Sequence, residues 1–113
     1  EDYNMQNKRL PVSEEKVMAV IWEANRALDL SPVKEQVNEK FHMDWRPQTV
    51  STFLRRLVER EFLSPERKGR YVYYTPLVTK EDYVRLQMEQ MRDTFYMGRR
   101  EDFCDLTRQI CNE

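Results

Sequence analysis

Apolar positions along this chain recur in stretches of helical period, separated by short polar or proline-bearing connections. Val17, Met18, Ile21 and Trp22 repeat at the spacing of one helix face. They predict a first helix capped by Ser13, with Glu14 and Glu15 in its favourable first turn. Asn25-Arg26 breaks the pattern, and Leu28 and Leu30 alternate around Asp29 as in a very short strand. Ser31-Pro32 supplies a capping oxygen and then a first-turn proline, opening a short second helix with Val33, Val37 and Phe41 on its apolar face.

A third helix is expected from Pro47, again a first-turn proline. At 100° per residue Val50, Leu54, Leu57 and Val58 converge on one side. Gln48, Thr52, Arg55, Arg56 and Glu59 fall on the other, with Thr49 and Ser51 at the borders. Phe62-Leu63 closes this segment. A strand follows, then a tight connection at Arg67-Lys68-Gly69, then the aromatic and β-branched run Arg70 to Thr75, ended by Pro76. The glycine permits the positive φ that such a turn usually needs.

Thr79, with Asp82 three residues on, resembles the start of a fourth helix. Its Val84, Met88, Met91 and Phe95 form a seam that calls for a partner helix. Gly98 interrupts, and a last helix carries Phe103, Leu106 and Ile110. The first 78 residues offer no compact way to bury that seam, so two-fold pairing with another copy is expected, making these seven side chains the dimerisation candidates. The fold class is therefore mostly α with a small β-hairpin (α+β). It reads as a winged helix-turn-helix over residues 8–77, followed by a C-terminal helical dimerisation region over residues 78–113.

Charge sharpens the picture. From Trp45 to Arg70 there are seven Lys/Arg against three acids, a net +4 on a chain whose total is −1. A positive island on an otherwise acidic protein is suited to a phosphate backbone. Gln48, Thr49, Ser51 and Thr52 are short polar side chains near a helix start, suited to base edges, while Arg55 and Arg56 can reach guanine or phosphate. Arg67, Lys68 and Arg70 suit a flanking phosphate or minor groove. Double-stranded DNA is the expected partner. Taken singly, an arginine-bearing helix is usually a solvated face; the combination and order of features carry the reading. Tyr71, Tyr73 and Tyr74 could stack on bases, although on a strand beside helices such rings more often serve core and sheet surface.

Enzyme chemistry finds little support. His42 is the one histidine, there is no glycine-rich phosphate loop, and no carboxylate pair is recognisable as catalytic. No metal site and no cofactor are expected. Cys104 and Cys111 share a helical face and are read as small hydrophobes in a dimer seam; two thiols alone fall short of zinc's usual four ligands. Two cysteines make no framework of bridges, which fits a reducing cytoplasm. No apolar run approaches the length of a membrane span, so membrane insertion is not expected. The chain starts at Glu1 rather than Met, and EDYN is left out of the fold reasoning.

The segments VMAVIW (residues 17–22), TVSTFLRRLVEREFL (49–63) and KGRYVYYTP (68–76) resemble the penicillinase-repressor family, also called the BlaI/MecI family. Glu81-Asp82-Tyr83 and Phe95-Tyr96-Met97-Gly98 look like its further landmarks, and the likeness covers about Leu10 to Gly98. It implies a homodimer that binds a palindromic operator and represses resistance or metal-homeostasis genes. In β-lactam-responsive members, a membrane sensor-protease pathway leads to cleavage just before the Phe-Tyr of a pattern like Asn-Arg-Phe-Tyr. The matching stretch here is Asp93-Thr94-Phe95-Tyr96, which implies a cleavage site at Thr94 and Phe95 and departs from the pattern at Thr94. The paired C-x-C motifs of the copper-responsive branch are absent. Arg46 precedes Pro47 where the family often has a capping Ser, replacing a cap worth about 1 kcal/mol by a cation able to reach a phosphate. After Gly98 one helix is expected where the family often has two.

Two other functional classes fit the same chain. A winged helix can serve as a protein-interaction module, which the near-neutral total charge permits. It can also be a sensor that binds a small molecule beside its dimerisation helices. Gel shifts with promoter fragments separate the first from a repressor, and thermal-shift screening detects the second.

Overall fold

The computed structural model describes residues 8–113, so the EDYN segment lies outside the described residues. The elements are α1 (Val12–Ala24), α2 (Leu30–Phe41), α3 (Pro47–Glu59), β1 (Leu63–Lys68), β2 (Tyr71–Pro76), α4 (Lys80–Phe95) and α5 (Arg100–Cys111). The chain divides into two compact units, one ending at Lys80 and one running Glu81–Glu113.

In the first unit α1, α2 and α3 enclose one core. Val17, Met18 and Ile21 of α1, Val33 and Val37 of α2, and Val50, Leu54 and Leu57 of α3 are fully buried, as are Phe62 and Leu63 at the start of the hairpin. These are the positions that helical periodicity picks out, because close packing of three helices buries one stripe from each. Trp22 is half-buried and its indole Nε1 donates to the Val78 carbonyl at 2.9 Å, tying the segment after β2 to α1.

Helix starts are where the structure departs from expectation. α1 begins one residue before Ser13; Pro11 stands at its N-cap, and its carbonyl accepts from the Glu15 N–H at 2.9 Å. Ser31 is likewise inside α2, whose N-cap is Asp29 in extended conformation. Neither N-cap makes a side-chain capping bond. Tertiary packing of the apolar stripes sets these ends, and capping propensity yields to it. Leu30 is consequently the first residue of α2 and no part of a strand. Of the expected strand only Leu28 remains, exchanging two backbone bonds with Tyr74, at 3.4 and 2.9 Å.

The hairpin connection also differs by one residue. Lys68 pairs with Tyr71, so Gly69-Arg70 is the two-residue turn, while Arg67 and Lys68 belong to β1. Gly69 has φ +65 at the first turn position, the arrangement in which a two-residue hairpin turn favours glycine. Tyr74 turns its backbone to Leu28, which leaves Pro65, opposite it, on the outer edge of β1. A proline there costs no ladder bond and blunts the edge against further pairing.

Glu14 is buried at 1% exposure on the same stripe as Val17, Met18 and Ile21. Its Oε1 accepts from Arg60 Nη1 at 2.8 Å, joining the start of α1 to the residue that caps α3. Burial pushes the Glu14 carboxyl above its ordinary value, and the Arg60 and Arg56 charges partly oppose this. A raised carboxyl contributes stability that is fully present below its unfolded pKa and is lost as pH rises through the folded one. Arg60→Met should therefore cost about 3 kcal/mol at neutral pH, the low end for a broken buried pair because Arg60 is partly solvated. Urea unfolding should show that loss shrinking on mild acidification. A loss independent of pH would show that Arg60 acts through packing alone.

Candidate nucleic-acid interface

The α2–α3 connection fixes how α3 leaves the core. His42 ends α2 in the left-handed region at φ 56. Asn38 then clamps the turn: its Nδ2 donates to the Trp45 carbonyl at 3.1 Å, and the Trp45 N–H donates to its Oδ1 at 2.9 Å. Trp45 packs on Phe53 of α3 with ring centroids 5.0 Å apart. α3 begins at Pro47 as expected, with Arg46 extended at its N-cap and no side-chain cap. At the other end the Glu61 N–H bonds the Val58 carbonyl and the Phe62 N–H bonds that of Leu57. This two-bond stop places Glu61 at φ 63, where glycine is more usual.

With Val50, Leu54 and Leu57 inward, the opposite flank of α3 faces out. Arg46, Gln48, Ser51, Arg55 and Arg56 are exposed, and Thr49 and Thr52 are half-buried at the margins. The Thr52 hydroxyl donates to the Gln48 carbonyl at 3.1 Å. Arg55 lies 3.9 Å from Glu59, a loose i,i+4 ion pair in water. Of the seven basic residues between Trp45 and Arg70, Arg60 is committed to Glu14. Arg46, Arg56, Arg67, Lys68 and Arg70 form no ion pair among the described residues.

Strand register divides the hairpin into two faces. One carries Leu63, Arg67, Val72 and Tyr74, with Leu63 buried and Tyr74 joined to Leu28. The other carries Glu66, Lys68, Tyr71 and Tyr73. There the Lys68 Nζ stands 5.9 Å from the Tyr73 ring centroid, and at the turn the Arg70 guanidinium lies 5.4 Å from the Tyr71 ring. Cations held against rings in this way lose side-chain freedom before any ligand arrives.

Two contributors are not legible in the sequence as site-building residues, and two more are legible only in another role. Glu14 was counted only as a first-turn acid, though a charge on an apolar stripe is itself a sign of a buried ion pair. Asn38 gave no signal, because both its bonds go to the backbone of Trp45 through an irregular turn. Tyr71 and Tyr73 are legible as strand residues able to stack on bases, but their hold on Arg70 and Lys68 has no signal in the sequence.

In the second unit Val84, Met88, Met91 and Phe95 are exposed along α4, Phe95 at 73%. Phe103 is half-buried and meets the Tyr96 ring edge-on at 5.7 Å, while Leu106 and Ile110 of α5 are exposed. Cys104 and Cys111 are both exposed. Among the described residues no helix is long and apolar enough to cross a membrane, and no group of three His, Cys, Asp or Glu could hold a metal ion.

Comparison with known proteins agrees with this geometry. The model of the family described as "Penicillinase repressor" matches residues 10–106. A penicillinase repressor of Bacillus licheniformis is 29% identical over 86 residues, which are 76% of this chain and 65% of that protein. The solution structure of the DNA-binding domain of the repressor BlaI is 29% identical, with a TM-score of 0.57, covering 66% of this chain and 88% of that one. A second solution structure, the monomeric form of B. licheniformis BlaI in complex with the blaP half-operator, is 29% identical with a TM-score of 0.55, over 67% and 89% of the two chains. The complex structure of hsRosR-S4 shares 17% identity over 98% of this chain and 97% of its own, at a TM-score of 0.63, a likeness of fold alone.

The turn geometry makes one stability forecast. An alanine at Gly69 meets no neighbour within 4 Å, so the left-handed backbone alone sets the cost of Gly69→Ala. That cost should be about 1–2 kcal/mol, measured by thermal or urea unfolding. An unchanged midpoint would mean that the turn adopts another conformation.

Proposed function

The chain belongs to the penicillinase-repressor family, and from that premise we propose that it is a homodimeric transcriptional repressor that binds palindromic operator DNA. The observation that carries the reading is the outward flank of α3, polar and cationic along its length on a helix whose other flank is fully buried. Rigid presentation of this kind lets short side chains address base edges without ordering a loop. In the major groove Gln48 suits adenine. The Thr52 methyl suits thymine, since its hydroxyl proton is already engaged with the Gln48 carbonyl. Arg55 suits guanine, and Thr49, Ser51 and Arg56 take flanking bases or phosphates. Arg46 precedes the first turn and takes a phosphate; Arg67, Lys68 and Arg70 on the wing take the neighbouring backbone or minor groove. The solved complex of BlaI with the blaP half-operator supports this assignment by similarity.

The C-terminal region, from about residue 78, serves as the dimerisation region in this proposal. Val84, Met88, Met91 and Phe95 of α4, with Phe103, Leu106 and Ile110 of α5, form its interface. Six of these seven are exposed in the single chain, an arrangement water disfavours until a second copy covers it. Release by a cytoplasmic proteolytic signal relayed from a membrane sensor, cutting between Thr94 and Phe95, completes the cycle. Exposure of Phe95 beside the left-handed pair Met97-Gly98 supports access for a protease.

Gel shifts with the promoter upstream of the protein's own gene test the assignment. Thr52→Ala with Arg55→Ala should weaken binding by tenfold or more, since a good base contact discriminates by about 1–3 kcal/mol, while folding and dimerisation persist. Full retained affinity would reject this face. Lys68→Ala should weaken all sequences alike and lower the salt slope by about one. No shift at low salt with any promoter fragment would favour a protein-interaction module instead.

A further inference from the structure

We propose that Cys104 and Cys111 are an oxidation-sensitive thiol pair that joins two copies of the chain covalently through α5. The proposal rests on the homodimer reading and adds to it a chemical modification site. These are the protein's only two cysteines, and both are exposed on the same twelve-residue helix.

Helix geometry decides which bridges can form. Seven residues along an α-helix separate the two Cα atoms by about 10.5 Å, and a disulfide requires about 4.4–6.8 Å. An intact α5 therefore excludes a bridge within one chain. The only other protein thiols available belong to a second copy.

The placement of the pair suits that partner. Two positions seven apart lie on one flank of the helix, here beside the Phe103, Leu106 and Ile110 stripe. α5 buries none of its residues in the single chain. Helices this short are marginal alone in water, so the stripe requires a covering surface. A second copy that covers it brings the cysteine flank to the rim of the contact, where small oxidants still have access. Arg100 lies one turn before Cys104, and Arg108, one turn after it, is paired with Asp105 at 3.1 Å.

The chemistry balances with a peroxide as oxidant. One thiolate attacks an oxygen of hydrogen peroxide, which breaks the O–O bond and gives a sulfenic acid and, after proton transfer, one water. A thiol of the second copy then attacks the sulfenic sulfur, the S–S bond forms, and a second water leaves. Two thiols are oxidised and one peroxide is reduced. A covalent dimer cannot dissociate on dilution, so the oxidised protein should hold its operator at concentrations where the reduced one has separated.

The test uses the full chain and hydrogen peroxide, read on non-reducing denaturing gels over about a tenfold dilution of protein. A dimer band should form in near-constant yield, revert with dithiothreitol, and be absent from the Cys104→Ser/Cys111→Ser double variant. That variant, when reduced, should fold and shift operator DNA like the parent, because neither cysteine belongs to the DNA-binding surface. A yield falling in proportion to dilution would show random collision and overturn the proposal, as would a bridge within one chain or oxidised monomer alone. Cross-linking by a protein that binds no DNA would instead sink the repressor reading and leave the thiol pair standing.

Discussion

The apolar flank of α3 has one place to go. Val50, Leu54 and Leu57 insert between α1 and α2, and each is sealed from water. Burying three such side chains stabilises the unit by roughly 1.5–3 kcal/mol apiece. A helix held this firmly along one side has no freedom to roll, so the direction of its other side follows. Pro47 starts α3 where the Asn38–Trp45 clamp leaves it, and the Glu61 turn stops it before Phe62 re-enters the core. The exposure of Gln48, Ser51, Arg55 and Arg56 is thus a consequence of packing.

Electrostatics are arranged around the same helix. The segment's seven basic residues give it a net +4, but Arg60 turns inward to Glu14 and Arg55 lies near Glu59. What remains is a smaller set: Arg46 at the start of α3, Arg56 in its last turn, and Arg67, Lys68 and Arg70 on the wing. The wing holds its cations in place through Tyr71 and Tyr73, and its outer edge carries Pro65, which discourages strand addition by another chain. The two units differ in one respect that matters. The first closes its own core, whereas α4 and α5 keep Met88, Met91, Leu106 and Ile110 in contact with water.

Much of this was legible in the sequence because helical period and burial are two expressions of one geometry. The apolar stripes of α1, α2 and α3 could be read residue by residue, and the VMAVIW, TVSTFLRRLVEREFL and KGRYVYYTP segments pointed to the family that the comparisons show. The boundaries were less legible. Ser13 and Ser31 are good capping residues, but each lies inside its helix, since packing starts α1 and α2 earlier than local preference would. Leu30 alternates with Leu28 like a strand residue, but Val33 and Val37 recruit it into a helix. The turn fell at Gly69-Arg70 because the Lys68–Tyr71 pair closes the ladder. Glu14 and Asn38 were missed for different reasons: Arg60 lies 46 residues from Glu14, across the fold, and the Asn38 bonds to Trp45 span an irregular turn that follows no helical or strand period.

The central claim is that the hydrophilic side of α3, together with the wing, meets a DNA duplex. Its most direct test is a backbone-amide NMR titration of the protein with a duplex from the promoter of its own gene, at low salt. Shifts concentrated at Gln48, Thr49, Ser51, Thr52 and Arg55 and at Lys68 to Tyr71, with the buried faces of α1 and α2 unmoved, are the predicted result. Saturable binding whose shifts fall elsewhere on the molecule and spare α3 would contradict the account.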